Sequence, residues 1–420
     1  MDKDITKSTF LQYLTPINFE KFNEMIKSIG VDKYTKKLTT PKLIMILIYS
    51  QLTQADSLTH LSTIVSNDDD LQKMINLKSI STSQLSRTLR ELDPAHINEI
   101  FKDLVMKAIA KNGVEHVKNN LQHINVIDAS TISMAISQYP WADFRKTKAG
   151  VKLNMRIKFH ETSNETLPDK VVISSAKEAD KTKIDDLVVT SKNALNIFDR
   201  GYVDYENFDE YTDNDILFLS RLKSNAKIKF IKTKTKYIDD KKVTDSIVRL
   251  GTKNINQMNN NLRLLRIPDD RDPDKIISII TNDFNRTAKE ISDLYRNRWE
   301  IENFFKWIKQ HLHIKKFYGF SENAVKNQIM AALITYLLLH LFRDKTKSKK
   351  SLLEIQRLIN ICIDKPVKLL IQKINKSPSR SSKGRRKINY DEIFEFTLQQ
   401  VKEGDTKHLY QDSIYDPVIL

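Results

Sequence analysis

The chain has 420 residues, of which 40% are hydrophobic and 29% charged, and its formal net charge is +16 at pH 7. This length allows two or three domains with sizeable cores. The basic balance favours a polyanionic partner, most commonly nucleic acid, and a small acidic substrate would not need it. The single cysteine, Cys362, excludes an internal disulfide or a cysteine-ligated zinc framework, and its apolar neighbours predict a buried residue.

Residues 1–118 are predicted to form a helical N-terminal domain that binds DNA. Thr40, followed by proline, marks a helix start as an N-cap, and Ser81 begins a second helix with a capping-box pattern. On that second helix Arg87 and Arg90 share the polar side with serine and glutamine, which suits a helix that reads a DNA groove. A plain helical-bundle element is the alternative. The first ten residues lack the charged-then-apolar pattern of a signal peptide.

Residues 119–223 change to short apolar strands with helical pieces between them, which is typical of an α/β or α+β layer. Strands are predicted at residues 123–128, 152–162, 169–176, 195–199 and 215–222. Asp128 and Asp199 each end a strand, and a charge at the end of a buried strand lies at the sheet rim, where sites form. Helix capping is the alternative role for either one. Asp180, Asp185 and Asp186 lie in a polar run and are interpreted as surface or capping residues.

Residues 224–284 are predicted as an all-β insertion, because four further strand patterns follow one another with no convincing helix between them. The layer then resumes over residues 285–345.

The stretch from Tyr295 to Lys309 is predicted as one helix, because it lacks glycine and proline and contains many good helix formers. At about 100° per residue, Tyr295, Arg298, Glu302 and Lys309 share an arc of about 60°. An apolar stripe beside this arc predicts docking on the sheet, and it consists of Leu294, Ile301, Phe304, Phe305, Ile308 and Leu312. An ordinary amphipathic helix with a solvated charged face is the alternative.

Three carboxylates meet at the sheet rim if this helix docks there: Asp128, Asp199 and Glu302. Because like charges repel, the arrangement predicts a cation between them, and oxygen ligands alone select Mg²⁺ or Mn²⁺. Two such ions about 4 Å apart activate a water or a 3′-hydroxyl and stabilise the leaving oxygen of a phosphodiester. Arg298 and Lys309 can hold the flanking phosphates. Together with the basic charge, the pattern predicts phosphoryl transfer on nucleic acid.

Residues 346–420 are predicted as a basic, helical C-terminal region. The most apolar run of the chain, Ile329 to Phe342, precedes it, and 14 residues are too few to span a bilayer, so we expect a buried core helix. Residues 366–390, which carry no acid, are predicted to form a mobile loop in which Arg380, Arg385 and Arg386 lie on DNA phosphates. A solvated basic tail is the alternative. We expect a cytoplasmic protein, associated with the nucleoid in a bacterium and not with a membrane.

The segments VIDAST and IFDRGY, which contain Asp128 and Asp199, and the spacing Tyr295–Arg298–Glu302–Lys309 resemble the DDE transposases of bacterial insertion sequences. Among these, the chain resembles the group defined by a Y-R-E-K motif, insertion sequence family four. The D-R-G-Y and Y-R-E-K pieces are specific in combination, and the likeness covers most of the chain.

The resemblance implies an RNase H-like, mixed-sheet catalytic core in which Asp128, Asp199 and Glu302 hold two Mg²⁺ (or Mn²⁺) ions. It implies a cut-and-paste transposase, a homodimer in its synaptic complex, that binds the terminal inverted repeats of its insertion sequence in double-stranded DNA. Such an enzyme acts as an endonuclease at the element ends and forms a DNA hairpin as an intermediate. It then joins the 3′-hydroxyl to target DNA. Tyr295, Arg298 and Lys309 match family positions that contact DNA near the cut.

One departure from the family concerns base stacking. Some relatives stack a flipped base on a tryptophan of the insertion, but residues 224–284 contain no tryptophan. Trp299 lies near the catalytic arc and can take this role, whereas Trp307 is predicted to pack in the core. Tyr237 and Phe284 are further candidates, and the residue that stacks is left open.

Three other functions fit parts of the same pattern. An RNase H-like nuclease would cleave DNA without strand transfer. A non-catalytic DNA-binding regulator, such as a decayed transposase, would bind without cutting, although all six signature residues are intact. A peripheral membrane protein would need a long basic amphipathic helix, and none is predicted.

Overall fold

The computed structural model describes residues 7–112, 123–160, 165–192, 194–238, 241–269, 275–376 and 390–404. The chain divides into two compact units, Met1–Ile374 and Asn375–Leu420. In the second unit the described residues contain one helix, α15 (Tyr390–Lys402). The predicted domain boundaries at residues 118, 223, 284 and 345 stay predictions, because this division into units does not address them.

Seven helices form the N-terminal region, as predicted. They are α1 (Thr9–Tyr13), α2 (Phe19–Ile29), α3 (Thr40–Thr53), α4 (Leu58–Asn67), α5 (Asp69–Ile75), α6 (Thr82–Glu91) and α7 (Pro94–Asn112). The prediction that Thr40 is an N-cap was wrong by one residue: Thr39 is the N-cap, and the Thr40 amide and hydroxyl instead donate to the Asp32 carboxylate. Ser81 caps α6 as predicted, by accepting a hydrogen bond from the Gln84 amide.

The strands form one mixed sheet of ten strands. They are β1 (His123–Met134), β2 (Asp143–Arg145), β3 (Lys148–His160), β4 (Glu165–Ser175), β5 (Ala194–Phe198), β6 (Leu217–Arg221), β7 (Ile228–Ile238), β8 (Lys241–Leu250), β9 (Leu262–Pro268) and β10 (Ile276–Thr281). The order is β2-β3-β1-β5-β6-β10-β9-β8-β7, with β4 beside β3. Pairing is parallel from β1 through β5 to β6 and antiparallel elsewhere. The predicted α/β class with a mixed sheet is confirmed.

The four strands of residues 224–284 extend this same sheet, because β10 pairs with β6. They are β-rich as predicted, and they continue the hydrogen-bonded ladder of the central strands without a gap. We refer to β7–β10 as the sheet extension.

An aromatic cluster holds the chain where it leaves β5. Phe198, the last residue of that strand, packs against Phe218 on β6 and against Tyr202, with ring centroids 6.1 Å apart in both pairs. Phe208 of α9 (Tyr205–Asp213) stacks on Phe218 with ring centroids 4.4 Å apart. This buried packing fixes the short 3-10 helix Arg200–Tyr202 that begins directly after Asp199.

The remaining α-helices of the first unit are α8 (Ile184–Leu187), α10 (Ala288–Arg296), α11 (Trp299–His311), α12 (Glu322–Thr346), α13 (Leu352–Ile361) and α14 (Val367–Asn375). α12 is long and apolar enough by length and composition to cross a membrane, but 94% of its apolar window is buried inside the protein. It is the core helix that the apolar run predicted, extended at both ends. Cys362 is fully buried, also as predicted.

The break between α10 and α11 overturns the single helix predicted over Tyr295–Lys309. Asn297 and Arg298 lie in a turn between the two helices. Their amides donate to the carbonyls of Leu294 and Tyr295, three residues back, at 3.1 Å. Such i→i+3 bonds wind the chain more tightly than an α-helix, so residues on either side no longer follow one 100° wheel. The predicted apolar stripe is nonetheless buried at all six positions.

Arg263 joins the sheet extension to the segment that precedes α10. Its guanidinium donates two hydrogen bonds to Asp245 on β8, at 2.9 and 2.8 Å, and a third to the Arg286 carbonyl at 2.5 Å. Side-chain exposure is 6% for Arg263 and 11% for Asp245, so the pair is largely removed from solvent.

Replacing Arg263 with methionine should strongly destabilise the protein, because a buried carboxylate loses its bidentate partner. We expect the free energy of unfolding in urea to fall by about 3–5 kcal/mol. The control is Lys192→Met, which removes an exposed ion pair with Asp215 and should cost less than about 1 kcal/mol. Equal losses for the two variants would contradict the structural role of Arg263.

Candidate active site

Asp128 and Asp199 lie side by side on two adjacent parallel strands. The last residue pair in the register of β1 with β5 is Ile127 with Phe198, so the two aspartates are the next residues on each chain. Neighbouring strands lie about 4.8 Å apart. The parallel register therefore brings together two carboxylates that are 71 positions apart in sequence.

Asp128 does not end its strand, which corrects one prediction. β1 continues to Met134, paired with β3, and Asp128 lies opposite Met155 in that ladder. Only the pairing with β5 stops at Ile127. Asp199 does follow its strand directly, as predicted. The rim at which both aspartates lie is therefore created by the end of β5, and β1 passes beyond it.

Glu302, on α11, lies near Asp128 because both carboxylates are close to the Arg298 guanidinium. The Arg298 guanidinium lies 2.6 Å from a Glu302 carboxylate oxygen and 3.7 Å from Asp128 Oδ2. Side-chain exposure is 14% for Arg298, 20% for Asp128 and 36% for Glu302. Although the helix is broken before Trp299, Arg298 and Glu302 are still four residues apart and meet as an i,i+4 pair.

The ionisation of Asp128 reports how close these groups are. The pKa of Asp128 is raised to about 6, mainly by burial and in smaller part by the negative charges of Asp199 and Glu302. The Ala129 amide, which donates to Oδ1 at 2.8 Å, and the Arg298 cation act in the opposite direction. All three predicted carboxylates therefore interact at one half-buried location, with one arginine offsetting part of their repulsion.

Tyr202 faces the same carboxylates, and sequence reasoning assigned it no role. Its side chain is 1% exposed, and its hydroxyl has no hydrogen-bond partner among the described residues. Burial raises its pKa well above the usual value, and the charges of Asp128, Asp180 and Asp199 add to this. The signal was present in the sequence as the tyrosine of IFDRGY, three residues after Asp199.

Asp180, one of the acids interpreted as surface or capping residues, forms an ion pair near the three carboxylates. Its carboxylate lies 2.7 Å from the Lys152 ammonium, and it would lie 3.3 Å from a Cβ added at Gly201. Glycine at position 201 therefore allows the turn after Asp199 to pass close to Asp180. Asp185 accepts hydrogen bonds from Tyr211 and Asn207, so it is a surface partner as interpreted.

The donor set suits a hard divalent cation. Carboxylate oxygens are the ligands that Mg²⁺ and Mn²⁺ prefer, and the crowded negative charge raises the pKa of Asp128. As the side chains are placed, no three His, Cys, Asp or Glu residues in the described part of the chain are close enough together to hold a metal ion. The cation that lies between Asp128 and Glu302 here is the Arg298 guanidinium.

Lys309 fastens α11 to β1. Its ammonium donates to Ser130 Oγ at 2.7 Å and to the Thr131 carbonyl at 3.0 Å, and burial lowers its pKa. Two of its three N–H donors are used in this way, which leaves one for another acceptor. Arg298 contacts Asp128 at the other end of the helix, so α11 is held against β1 at both ends.

The aromatic residues near the site differ in exposure. Tyr295 is 8% exposed, and burial raises its pKa to about 12. Trp299 is 41% exposed, with the Arg298 guanidinium 5.7 Å from its ring centroid. Trp307 packs against Tyr336 with ring centroids 5.1 Å apart, which is the core packing that was predicted. Phe284 and Tyr237 are 47% and 70% exposed.

The other predicted DNA contacts are arginines of α6 and of the basic stretch after residue 366. Arg87 and Arg90 are exposed on α6, while Leu85 and Leu89 on the same helix are buried. Asn327 of α12 donates to the Leu89 carbonyl and so anchors α6 to the core helix. The first part of the basic stretch forms α14, a helix rather than a loop. Arg380, Arg385 and Arg386 lie outside the described residues.

Comparison of the sequence with known protein families identifies the family of the catalytic fold. Residues 120–338, more than half of the chain, match the model of the transposase DDE domain, and the chain belongs to this family. The mixed sheet is thus the RNase H-like core of a DDE transposase, an enzyme that acts on DNA. Residues 6–74 match a domain of unknown function, DUF4372.

Individual relatives indicate that the protein is a transposase of an insertion sequence. The chain is 27% identical over 355 residues to the probable transposase of insertion sequence element IS5377 from Geobacillus stearothermophilus, covering 83% of this chain and 88% of that protein. Two further relatives are named as candidate transposases. The chain is 32% identical to y4zB of Sinorhizobium fredii over 42% of this chain and 50% of y4zB. It is 23% identical to that of element IS4SA of Synechocystis over 64% of this chain and 74% of the relative. The narrower assignment to the Y-R-E-K group stays a prediction.

The raised pKa of Asp128 predicts a pH-dependent stability in metal-free buffer. A carboxyl whose pKa rises from 3.8 to about 6 on folding stabilises the folded state below pH 4, and this contribution is lost as the pH passes 6. Relative to Asp128→Asn, the wild-type protein should lose up to about 3 kcal/mol of unfolding free energy between pH 4 and pH 7. Urea titrations in EDTA measure the difference. Asp186→Asn, an exposed control, should show no such trend.

Proposed function

We propose that this transposase binds the terminal inverted repeats of its insertion sequence, cuts the DNA at the element ends with divalent metal ions, and joins the freed 3′-hydroxyl to target DNA. The observation that carries the proposal is the meeting of Asp128, Asp199 and Glu302, which come from three separate elements of the core. When bound by these carboxylates, two Mg²⁺ or Mn²⁺ ions supply an activated oxygen nucleophile and stabilise the leaving oxygen.

The residues of the chain prepare the site for this chemistry. Parallel pairing fixes the spacing of Asp128 and Asp199, and the Ala129 amide orients one oxygen of Asp128. Arg298 holds Glu302 beside Asp128, because its cation offsets the repulsion between the two carboxylates. Above pH 6 Asp128 is ionised and is able to act as a ligand.

The DNA is proposed to lie along the exposed side of α11. Trp299 presents an exposed ring next to Arg298, so it is placed to stack a flipped base at the hairpin step. The remaining N–H donor of Lys309 and the Arg298 guanidinium are proposed to bind the flanking phosphates. The contact predicted for Tyr295 requires its hydroxyl to become accessible, because the side chain is buried here. Arg87 and Arg90 on α6 are proposed to bind the inverted repeat.

Neutralising any one carboxylate should abolish DNA cleavage and leave binding of the element end nearly unchanged. We expect Asp128→Asn, Asp199→Asn and Glu302→Gln to lower the cleavage rate by at least about 10³-fold, since each removes a charged ligand. Asp186→Asn, an exposed acid in the nearby polar run, is the matched control. Gel assays of end binding and of cleavage on the same labelled duplex separate the two effects. Normal cleavage by any of the three variants would overturn the assignment.

Strand transfer distinguishes a transposase from a nuclease. Pre-cut element ends incubated with Mg²⁺ and a supercoiled plasmid should yield joined products. Cleaved but unjoined DNA would support an RNase H-like nuclease, and binding without cleavage would support a DNA-binding regulator. If wild-type protein cannot join ends that were supplied already cut, the strand-transfer part of the proposal is wrong.

Trp299→Ala should reduce hairpin formation more than first-strand nicking, because only the hairpin needs a base held out of the stack. We expect loss of one stacking contact to cost about 1–3 kcal/mol at that step, or roughly 5- to 150-fold in rate. Trp299→Phe should restore part of the loss, and Trp307→Phe is the control for a packed tryptophan. Denaturing gels resolve nicked from hairpin DNA. Unchanged hairpin yield in Trp299→Ala would assign the stacking role to another aromatic residue.

A further inference from the structure

The outermost strand of the sheet extension, β7, is exposed along almost its whole length. Every residue from 229 to 237 is exposed, and the strand pairs only with β8. Large side chains on it remain in solvent, including Phe230 at 47% and Tyr237 at 70%. The strand contains four lysines and no acidic residue. A long exposed edge strand with charges of one sign either binds a partner of opposite charge or uses the charges to prevent aggregation at the sheet edge.

All four lysines share one face. Lys232, Lys234 and Lys236 alternate along the strand, opposite Ile247, Asp245 and Val243 of β8. Side chains two residues apart lie on the same side of a strand. A bulge between Phe230 and Lys232 inserts one residue, so Lys229, opposite Arg249, also lies on this face. Lys236 pairs with Asp245 at 2.7 Å, whereas Lys232 and Lys234 form no ion pair with any residue in the described part of the chain.

The other face of the strand carries hydroxyls and an aromatic ring. Thr233 and Thr235 alternate with the lysines, and the Thr233 hydroxyl hydrogen-bonds Ser246 at 3.1 Å. Tyr237 continues this face, exposed at the end of the strand. The two faces of β7 therefore differ in charge although they share one backbone. A substitution on one face can be compared with a matched substitution on the other.

We propose that β7 is a docking surface for the DNA backbone, with Lys232 and Lys234 binding phosphates of one strand. Lysines at alternate strand positions are about 6.6 Å apart, which is close to the spacing of neighbouring phosphates along the backbone of one DNA strand. The position of this DNA relative to the cut rests on the proposed function, whereas the binding itself requires only that the family acts on DNA.

The sheet order gives the distance to the carboxylates. β7 is five strands away from β5, or about 24 Å at 4.8 Å per strand. A duplex with its scissile phosphate at Asp199 would therefore meet β7 roughly 7 base pairs from the cut. Protection of a free sheet edge against aggregation is the competing explanation for these lysines, and it predicts no effect of which face they occupy.

An exchange variant tests the face directly. Lys232→Thr, Thr233→Lys, Lys234→Thr and Thr235→Lys together keep composition, net charge and edge protection, and move two charges to the opposite face. We expect the slope of log affinity for a 40-base-pair duplex against log salt to fall in magnitude by about 2. Loss of the Thr233–Ser246 hydrogen bond should lower the melting temperature slightly. Lys236→Thr, whose ammonium is already held by Asp245, should change the slope by less than 1. A wild-type slope in the exchange variant would overturn the proposal.

A second measurement is independent of the folding of that variant. Because Cys362 is fully buried, a cysteine placed at Lys234 is the reactive thiol to which an iron–EDTA reagent can be attached, and Thr235→Cys is the opposite-face control. On an element end held in Ca²⁺, radical cleavage should centre roughly 7 base pairs from the scissile bond for Lys234→Cys and be several-fold weaker for Thr235→Cys. Equal or absent cleavage for the two would exclude docking of this face. Both measurements report binding, so they remain readable if the wild-type protein fails to cleave.

Discussion

Repulsion between carboxylates is the constraint on which the rest of this structure depends. Two aspartates on neighbouring parallel strands and a glutamate from a helix are held together where water is scarce, and burial raises the pKa of one of them to about 6. Such a cluster costs free energy of folding. The chain offsets that cost with Arg298, with the Ala129 amide, and with a helix that is fastened to β1 at both ends.

The packing around the site follows from the same requirement. The six apolar residues beside Glu302 are buried and dock α11 on the sheet, and α12 behind them is almost entirely enclosed. Phe198, Phe208 and Phe218 fix the turn after Asp199. Hydrophobic burial therefore supplies the stability, and the polar contacts of Arg298 and Lys309 set the direction in which the carboxylates point.

The sequence was sufficient to predict the strands and the apolar helix face that carry the three acids. It was not sufficient to predict where those elements break or continue. The apolar stripe, the strands and the three acids could be identified because periodicity and strand ends are local signals. The turn at Asn297–Arg298 could not, since neither residue excludes a helix and the i→i+3 bonds form in the folded context. The extension of β1 past Asp128 depends on pairing with β3, which no local pattern reveals. The proximity of Tyr202 to Asp128, Asp180 and Asp199 arises from the folded chain and not from a local pattern.

The link from Arg263 to the Arg286 carbonyl has a mechanical consequence. The sheet extension runs into the central strands through β10 and β6, and this link pins the chain just before α10. The start of the α10–α11 segment is therefore attached to the sheet extension by a buried side chain as well as by the backbone, and a displacement of β8 or β9 would strain this attachment.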